Sequence, residues 1–237
     1  MHVRAIKTKI FQENENLISF ITRYIKNIKE GSVVVITSKI VALSEGRTAI
    51  AKNEKEKDTL IKSESEYALK TKYVWLTLKE GTLIANAGVD ESNARGENKI
   101  ILLPKDSYTA ADSIRRNLMK HYGVKKLGVL ITDSRILPFR AGVVGVALGY
   151  AGFKGIYDYR GTPDIFGRKL KMTQMDIADG LATSAVLLMG EGNECKPLAL
   201  ITDAPITFVN KVKKGELYID PKDDMYGPFF SQKFGRK

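Results

Sequence analysis

The chain has 237 residues, of which 43% are hydrophobic and 27% charged, a composition typical of a globular protein and not of a disordered one. This length is enough for one large domain or two modest ones. The formal net charge of +11 would suit anionic ligands, but the lysines are scattered and lack interleaved aromatic residues, so solvated surface lysine is favoured over nucleic-acid binding.

Predicted strands and helices follow one another without a regular alternation. Apolar patterning predicts strands at residues 3–10, 32–37, 73–78, 82–88, 99–103, 128–132, 197–202 and 206–212, with Gly81 turning the third strand into the fourth. It predicts helices at residues 16–28, 57–70 and 108–121, and a further helix that ends at Gly190. This irregular order predicts an α+β fold and not a doubly wound sheet.

Polar residues next to apolar runs predict where the later helices begin. Ser107 is predicted to cap the helix at residues 108–121, in which Arg115 is expected to point partly outward. Thr173 and Asp176 resemble a capping box, with aspartate in place of glutamate, that opens the last helix.

Histidine and cysteine are too scarce for several classes of active site. The sequence contains one cysteine, Cys195, and two histidines, His2 and His121. This inventory argues against an intramolecular disulfide, a Cys/His zinc site and a Ser-His-Asp triad, so a catalytic metal would be held by oxygen and would be magnesium or manganese. The longest apolar run, residues 141–153, is too short to cross a bilayer and no signal peptide is apparent, so we expect a cytoplasmic protein without a membrane partner.

Residues 127–170 combine glycine, apolar and ionic residues more densely than the rest of the chain. The predicted strand at 128–132 delivers Asp133 and Ser134, a carboxylate and a hydroxyl suited to a metal ion. The stretch then contains glycines, which let backbones approach closely, and alternating acids and arginines. These residues are Gly142, Gly145, Gly149, Gly152, Asp158, Arg160, Asp164 and Arg168.

Three clusters of oxygen ligands lie at the ends of predicted elements. They are residues 90–93, the pair Asp133 and Ser134, and Glu191. This number of oxygen ligands is about what two magnesium or manganese ions bound to the phosphates of a nucleotide would need. Each acid by itself is better explained as a turn or cap residue. The sequence has neither a G-x-G-x-x-G after a strand nor a G-x-x-x-x-G-K-[ST] loop, so a bound nucleotide would be held by another design.

Seven segments of the chain are similar in sequence to segments of a known protein family. They are ITSKIVALSEGR (36–47), GVDESNA (88–94), LPKDSYTAADSIRRNL (103–118), ITDSRILPFRAG (131–142), GVALGYAG (145–152), DYRGTPDIFGRKL (158–170) and DIADGLATSAVLLMGEG (176–192). In this order they resemble the coenzyme F420-0:L-glutamate ligases, or gamma-glutamyl ligases. They cover most of the chain, and chance agreement of seven ordered segments is remote.

The resemblance implies an enzyme that adds L-glutamate to the carboxylate of coenzyme F420-0, a deazaflavin, through an acyl phosphate formed from GTP or ATP. It implies that Asp90 and Asp133 bind one magnesium or manganese ion and that Ser134 and Glu191 serve a second, with room for a monovalent cation. It also implies nucleotide contacts, which fall on Ser38, Lys39, Asn93, Met189, Gly190, Glu191 and Gly192.

Two arginines are candidates for a clamp on the transferring phosphoryl group. Arg140 and Arg160 are chosen for their charge and setting. Structural pairing with Asp158 or Asp164 explains them equally well.

Two positions depart from the family pattern. Leu43 stands where the family commonly has a lysine before Ala-Glu-Gly-Arg. The family commonly reads Asp-Thr-x-Gly-Arg-Pro-Trp-Arg, whereas this chain has DSRILPFR from Asp133 to Arg140. These changes leave the nucleotide and the acceptor open. A folate acceptor is therefore an alternative to the deazaflavin, and a non-catalytic nucleotide- or RNA-binding relative is a third hypothesis.

The family's fold implies two domains and an intertwined homodimer with the site near the domain junction. We assign residues 1–82 and 172–237 to an outer α+β domain. Residues 83–171 form the predicted central domain, which carries the glycine-rich and metal-binding segments.

Overall fold

A computed structural model describes residues 1–220 and 222–228 and confirms a mixed α+β architecture. The described residues form five α-helices: α1 (Leu17–Tyr24), α2 (Ser38–Ser44), α3 (Glu54–Ser63), α4 (Ser107–Tyr122) and α5 (Ile177–Met189). They also form the strands β1 (His2–Ile6), β2 (Ser32–Thr37), β3 (Thr48–Ile50), β4 (Tyr67–Lys70), β5 (Trp75–Lys79), β6 (Thr82–Ala85), β7 (Lys99–Ile101), β8 (Leu127–Ile136), β9 (Val143–Ala151), β10 (Ile156–Asp158), β11 (Gln174–Asp176) and β12 (Leu198–Thr202).

A five-stranded sheet in the order β1-β12-β2-β8-β9 organises the main core. Only β2 and β8 run parallel, and the other neighbours are antiparallel. Side chains alternate between the two faces of each strand. Val34 and Ile36 therefore pack with α1 and α4 on one face, whereas Val33 and Val35 pack with α5 on the other. The sheet is thus covered by helices on both faces.

Strand direction brings the ends of three strands to one edge of this sheet. Ile6, the last residue of β1, pairs with Leu198, the first of β12. Thr37, the last residue of β2, pairs with Thr132 of β8, and its N–H donates a hydrogen bond of 3.0 Å to the Pro197 carbonyl. The segments that follow β1 and β2, and the second half of β8, therefore share what we call the carboxyl edge of the sheet.

The glycines of β9 allow the helices to approach this strand closely. A Cβ atom at Gly145 would lie 2.7 Å from the backbone oxygen of Ala182 in α5. At Gly149 it would lie 2.4 Å from the backbone carbon of Ser107 at the start of α4. These two glycines therefore serve close packing of helices on the sheet, one of the roles predicted for the glycine run.

Several predicted elements differ from the structure. The helix predicted at 57–70 is the shorter helix α3 followed by strand β4, because β4 pairs with β5 in a separate three-stranded sheet. The strand predicted at 206–212 is absent from the described residues, where Phe208 forms only an isolated bridge with Phe153. Helix α2 was not predicted, since its seven residues follow β2 directly and give too short an apolar pattern.

The helix caps also differ in detail. Asp106, and not Ser107, caps α4 by accepting a hydrogen bond of 3.0 Å from the Thr109 N–H. Asp176 alone caps α5 through the Asp179 N–H. Arg115 is buried and not outward, because its Nε donates a hydrogen bond of 2.7 Å to the Leu127 carbonyl.

Residues 48–103 contribute helix α3 and two small sheets, β3-β7 and β4-β5-β6, with a hydrophobic cluster of their own. Ile61, Ala87 and Ile100 are among its buried members. The proposed division into domains 1–82 with 172–237 and 83–171 remains a prediction, and strands from both parts share the five-stranded sheet. The end of the predicted outer domain, 229–237, lies outside the described residues. Of the helices in the described ranges, none is both long and apolar enough to span a membrane.

Candidate phosphate and metal site at the carboxyl edge

The site begins where the two parallel strands β2 and β8 meet. Because Thr37 pairs with Thr132, the residues that follow them, Ser38 and Asp133, are neighbours. The Ser38 hydroxyl donates a hydrogen bond of 3.3 Å to Asp133 Oδ1. Ser38 is buried as the first residue of α2, which holds its hydroxyl in place. Parallel pairing thus joins two predicted site residues that are 95 positions apart.

Lys39 links the beginning of α2 to the loop that carries Asp90. Its Nζ lies 2.8 Å from Asp90 Oδ2 and donates a hydrogen bond of 2.8 Å to Ser92 Oγ. The backbone of Asp90 pairs with Ile101, and this bridge fixes the start of the loop. Burial acts to raise the pKa of Asp90, but the hydrogen bond and charge of Lys39 outweigh it and the pKa is lowered. Asp90 is therefore ionised at neutral pH.

Ser134 and Glu191 form a second pair at the same edge. The Ser134 hydroxyl donates a hydrogen bond of 2.6 Å to Glu191 Oε1. Ser134 lies on β8 next to Asp133, and Glu191 follows the end of α5. The pairing predicted from the resemblance, with these two residues serving one ion, is consistent with this contact.

The turn after α5 folds around the carboxylate of Glu194. Gly190 ends the helix with φ 83°, and Gly192 N–H donates a hydrogen bond of 2.8 Å to Glu194 Oε2. Met189 is buried in the core beneath α5. Its side chain is therefore occupied, and only its backbone is available to a nucleotide.

The carboxylate and hydroxyl oxygens of these residues are ligands that a hard divalent cation prefers, although they do not converge on one point in this structure. In residues 1–220 and 222–228, no three Asp, Glu, His or Cys side chains are arranged to hold a metal ion. Burial raises the pKa of Asp133, and the charge of Asp90 adds to this effect while Arg135 and Lys39 oppose it. A cation beside Asp133 would relieve the cost of this buried charge. The oxygen-only chemistry matches magnesium or manganese.

A cavity of about 580 Å³ lies at the same edge, beside the end of β1. It is lined by the segment after β1, including Lys7 and Lys9, and by Arg23 and Cys195. The Thr8 N–H donates a hydrogen bond of 2.9 Å to the Cys195 carbonyl, which joins this segment to the start of β12. Arg23 is paired with Glu15, which also lines the cavity, at 3.2 Å, so among the described residues Lys7 and Lys9 supply its uncompensated positive charge. Sequence reasoning assigned no site residue to this segment.

The remaining predicted site residues lie in exposed segments. Asn93 is in the loop after Asp90 with φ 60°. Arg140 lies in the turn between β8 and β9 and forms no ion pair with any residue that the structure describes. Arg160 is held by Asp158 on the two-stranded sheet of β10 and β11, with 2.6 Å between Nη2 and Oδ2. The pairing explanation of Arg160 therefore has direct geometric support.

Arg160→Gln is expected to raise the pKa of Asp158 from about 2 part of the way towards the ordinary value of about 3.9, because the side-chain hydrogen bonds of Arg160 are the largest cause of the lowered value and the backbone N–H of residue 160 remains. Carboxyl-carbon NMR titration of both proteins measures this change. Asp164, which accepts hydrogen bonds from Arg168, serves as the internal control and should titrate unchanged. An unaltered Asp158 titration would contradict the assignment of this pair.

One group near the site was missed from the sequence. Arg135 is a half-buried cation on β8 two residues after Asp133, a spacing that places both side chains on one strand face. Ser92, which belongs to the oxygen cluster predicted at residues 90–93, bridges Lys39 and Asp90. The signal for Arg135 was present, since a charged residue inside a strand that begins apolar points to a burial partner or a ligand. Leu43, at the position of the family's lysine, packs against the main core.

The fold and this edge define an α+β protein with lysine, serine and acidic groups collected at the end of a mixed sheet. A family model described as F420-0:Gamma-glutamyl ligase matches residues 5–203. A Coenzyme F420:L-glutamate ligase of Methanococcus maripaludis strain S2 is 35% identical over 247 residues, covering 95% of this chain and 97% of that protein. The protein of the same name from Methanocaldococcus jannaschii is 35% identical over 250 residues, covering 94% and 95%.

A more distant relative of the same name, from Archaeoglobus fulgidus, is 29% identical over 233 residues, covering 91% of this chain and 92% of that protein. The family model and the two nearer relatives extend over most of this chain. The chain belongs to the F420-0:gamma-glutamyl ligase family, and the resemblance read from the seven segments is confirmed.

Proposed function

We propose that this protein is a GTP- and metal-dependent gamma-glutamyl ligase that adds L-glutamate to the carboxylate of coenzyme F420-0 or a closely related acceptor. The observation that carries the proposal is the convergence of Ser38, Lys39, Asp90 and Asp133 at the carboxyl edge. These positions come from three distant segments of the chain. The relatives named as ligases of L-glutamate support the reaction class.

The chain's own residues would position and neutralise the nucleotide phosphates. The Lys39 ammonium group contacts Asp90 in this structure. Its flexible side chain would allow it to contact a phosphate oxygen of the nucleotide instead. Asp90 and Asp133 would hold one magnesium or manganese ion, and Ser134 and Glu191 a second, with Ser38 fixing the Asp133 carboxylate. Such ions, when bound, neutralise charge on the transferring phosphoryl group.

The reaction would have two steps, phosphoryl transfer to the acceptor and then amide-bond formation. An oxygen of the acceptor carboxylate attacks the γ-phosphorus of GTP, and the bond from this phosphorus to the β,γ-bridging oxygen breaks. GDP departs, and the acceptor becomes an acyl phosphate. The amine nitrogen of L-glutamate then attacks the acyl carbon, phosphate departs with its oxygen, and the amine loses a proton. Exclusion of water at this stage protects the acyl phosphate from hydrolysis.

Assembly is part of the proposal. We propose a homodimer, in which a second copy of the chain completes the surroundings of the site. Sedimentation at several protein concentrations tests this, and a monomer that is fully active at low concentration would contradict it.

Phosphate release is the decisive measurement for the reaction. We expect release from GTP only when L-glutamate, a deazaflavin acceptor and magnesium or manganese are all present, and expect a metal chelator to abolish it reversibly. Parallel reactions with ATP, with a folate acceptor and with added potassium define the nucleotide, the acceptor and any monovalent cation. Metal-dependent nucleotide binding without phosphate release from any of these mixtures would contradict a ligase and leave a binding protein.

A further inference from the structure

A second cavity lies beside the carboxyl edge and plays no part in the phosphate site. Its volume is about 230 Å³, below the range of about 300–1,000 Å³ typical of pockets for drug-sized ligands, so it suits a small metabolite and not a nucleotide or a deazaflavin. It is bounded by the hairpin of β5 and β6, by β8 and β9, by the start of α5, and by Tyr108 and Tyr218.

Arg135 provides the positive charge of this cavity. Its Nε is buried and has no hydrogen-bond partner within the described ranges, and its Nη2 makes only a long contact of 3.4 Å with Thr82 Oγ1. The other cation of the lining, Lys79, is already paired with Glu64 at 2.7 Å. A buried Nε–H donor without a partner is unfavourable unless a ligand completes it, and a carboxylate is the ligand that the guanidinium fork matches.

Two carboxylates provide negative charge at the start of α5. Asp176 accepts a hydrogen bond of 2.9 Å from the Asp179 N–H, and Asp179 Oδ1 accepts one of 2.8 Å from the Ala147 N–H. Asp176 is exposed as a residue, but desolvation of its carboxyl group, and then the neighbouring charge of Asp179, raise its pKa to about 6. A bound ammonium group would offset the repulsion between the two acids. Glu80 adds a third carboxyl group to the lining.

The cavity is close to the predicted phosphate site. Arg135 and Asp133 lie two residues apart on one strand face, and the charges of both Asp133 and Asp179 act on the Arg135 guanidinium. A small molecule in the cavity would therefore lie next to the point where the acyl phosphate is proposed to form. In the family pattern Asp-Thr-x-Gly-Arg, Arg135 occupies the unspecified position, so the resemblance gives it no role.

We propose that this cavity is the amino-acid site, which binds L-glutamate as a zwitterion with one carboxylate on Arg135 and the ammonium group between Asp176 and Asp179. The choice of glutamate rests on the proposed function, whereas the zwitterion follows from the arrangement of charges. Because Lys79 is paired with Glu64, Arg135 is the lining cation that remains for a carboxylate, and the acids at the start of α5 favour an amino acid over a dicarboxylate, which lacks the amine.

Equilibrium dialysis of the intact protein with L-glutamate and with glutarate, in the presence of GTP and magnesium, tests the proposal without requiring turnover. Arg135→Met is expected to weaken binding of both compounds about tenfold or more, because both lose the carboxylate partner. Asp179→Asn can keep the hydrogen bond to Ala147 and is expected to weaken L-glutamate about tenfold while leaving glutarate unchanged. Arg116→Met, at an exposed arginine of α4, is the matched control.

The outcomes separate this site from the proposed reaction. If phosphate release depends on L-glutamate but neither Arg135→Met nor Asp179→Asn alters its binding or its KM, the reaction stands and this site is wrong. If both variants lose L-glutamate as expected but the native protein releases no phosphate, the site stands and the reaction is wrong. If the native protein binds no L-glutamate, the site is refuted. Should Arg135→Met unfold, the glutamate-to-glutarate ratio in Asp179→Asn decides.

Discussion

Asp133→Asn is expected to lower glutamate-dependent phosphate release about a thousandfold, because roughly 4 kcal/mol of charge stabilisation would depend on the cation that this carboxylate holds. Asp133 lies at the meeting point of β2 and β8 and is fixed by Ser38. Release of phosphate is measured under saturating GTP, acceptor, L-glutamate and magnesium. Asp112→Asn is the matched control, since Asp112 is an exposed carboxylate on α4 paired only with Arg116 among the described contacts, and it should retain native activity.

The same variant should not lose stability, and this distinguishes a functional carboxylate from a structural one. Burial raises the pKa of Asp133, so the ionised form is less favourable in the folded chain than in the unfolded chain. The stability linked to this group is present at low pH and is lost as the pH rises through its folded pKa. Asparagine carries no charge, so the melting temperature at pH 7 should equal or exceed the native value. Full activity, or a marked loss of melting temperature, would contradict the assigned role.

Gly152→Ala is expected to destabilise the fold by about 4 kcal/mol or more, an effect that few single substitutions reach. Gly152 has φ +91°, and a Cβ atom there would lie 2.2 Å from the Leu127 carbonyl oxygen and 2.4 Å from Arg115 Nε. The substitution would therefore break the buried hydrogen bond between these two residues. For a chain of this size the melting temperature should fall by roughly 8–16 °C.

Gly161→Ala separates the backbone strain from the steric clash. Gly161 has a similar φ of +81°, but no atom lies within 4 Å of the position that its Cβ would occupy. Its substitution should cost only the strain of a left-handed residue, roughly 1–2 kcal/mol. Equal losses of melting temperature in the two variants would mean that the contact of Gly152 with Leu127 and Arg115 contributes nothing.

Local patterns predicted the long elements of the main core correctly. The strand Ser32–Thr37 and the end of α5 at Gly190 agree with the apolar runs and the helix-ending glycine. Patterns failed where pairing partners decide the outcome. Residues 67–70 lie in a stretch, 51–72, whose many charges are typical of a surface helix, yet they form β4 because β5 provides an antiparallel partner. Apolar periodicity contains no information about such a partner.

The sequence alone determined the α+β class and the family, because these depend on residue types and on ordered segments. The tertiary structure decided which of those residues meet. Parallel pairing of β2 with β8 brings Ser38 to Asp133, and a loop anchored at Ile101 brings Asp90 to Lys39. It also placed Arg135, with its buried Nε atom, in the lining of a separate cavity. Strand order and helix packing set these contacts, and neither is encoded in the spacing of residues along the chain.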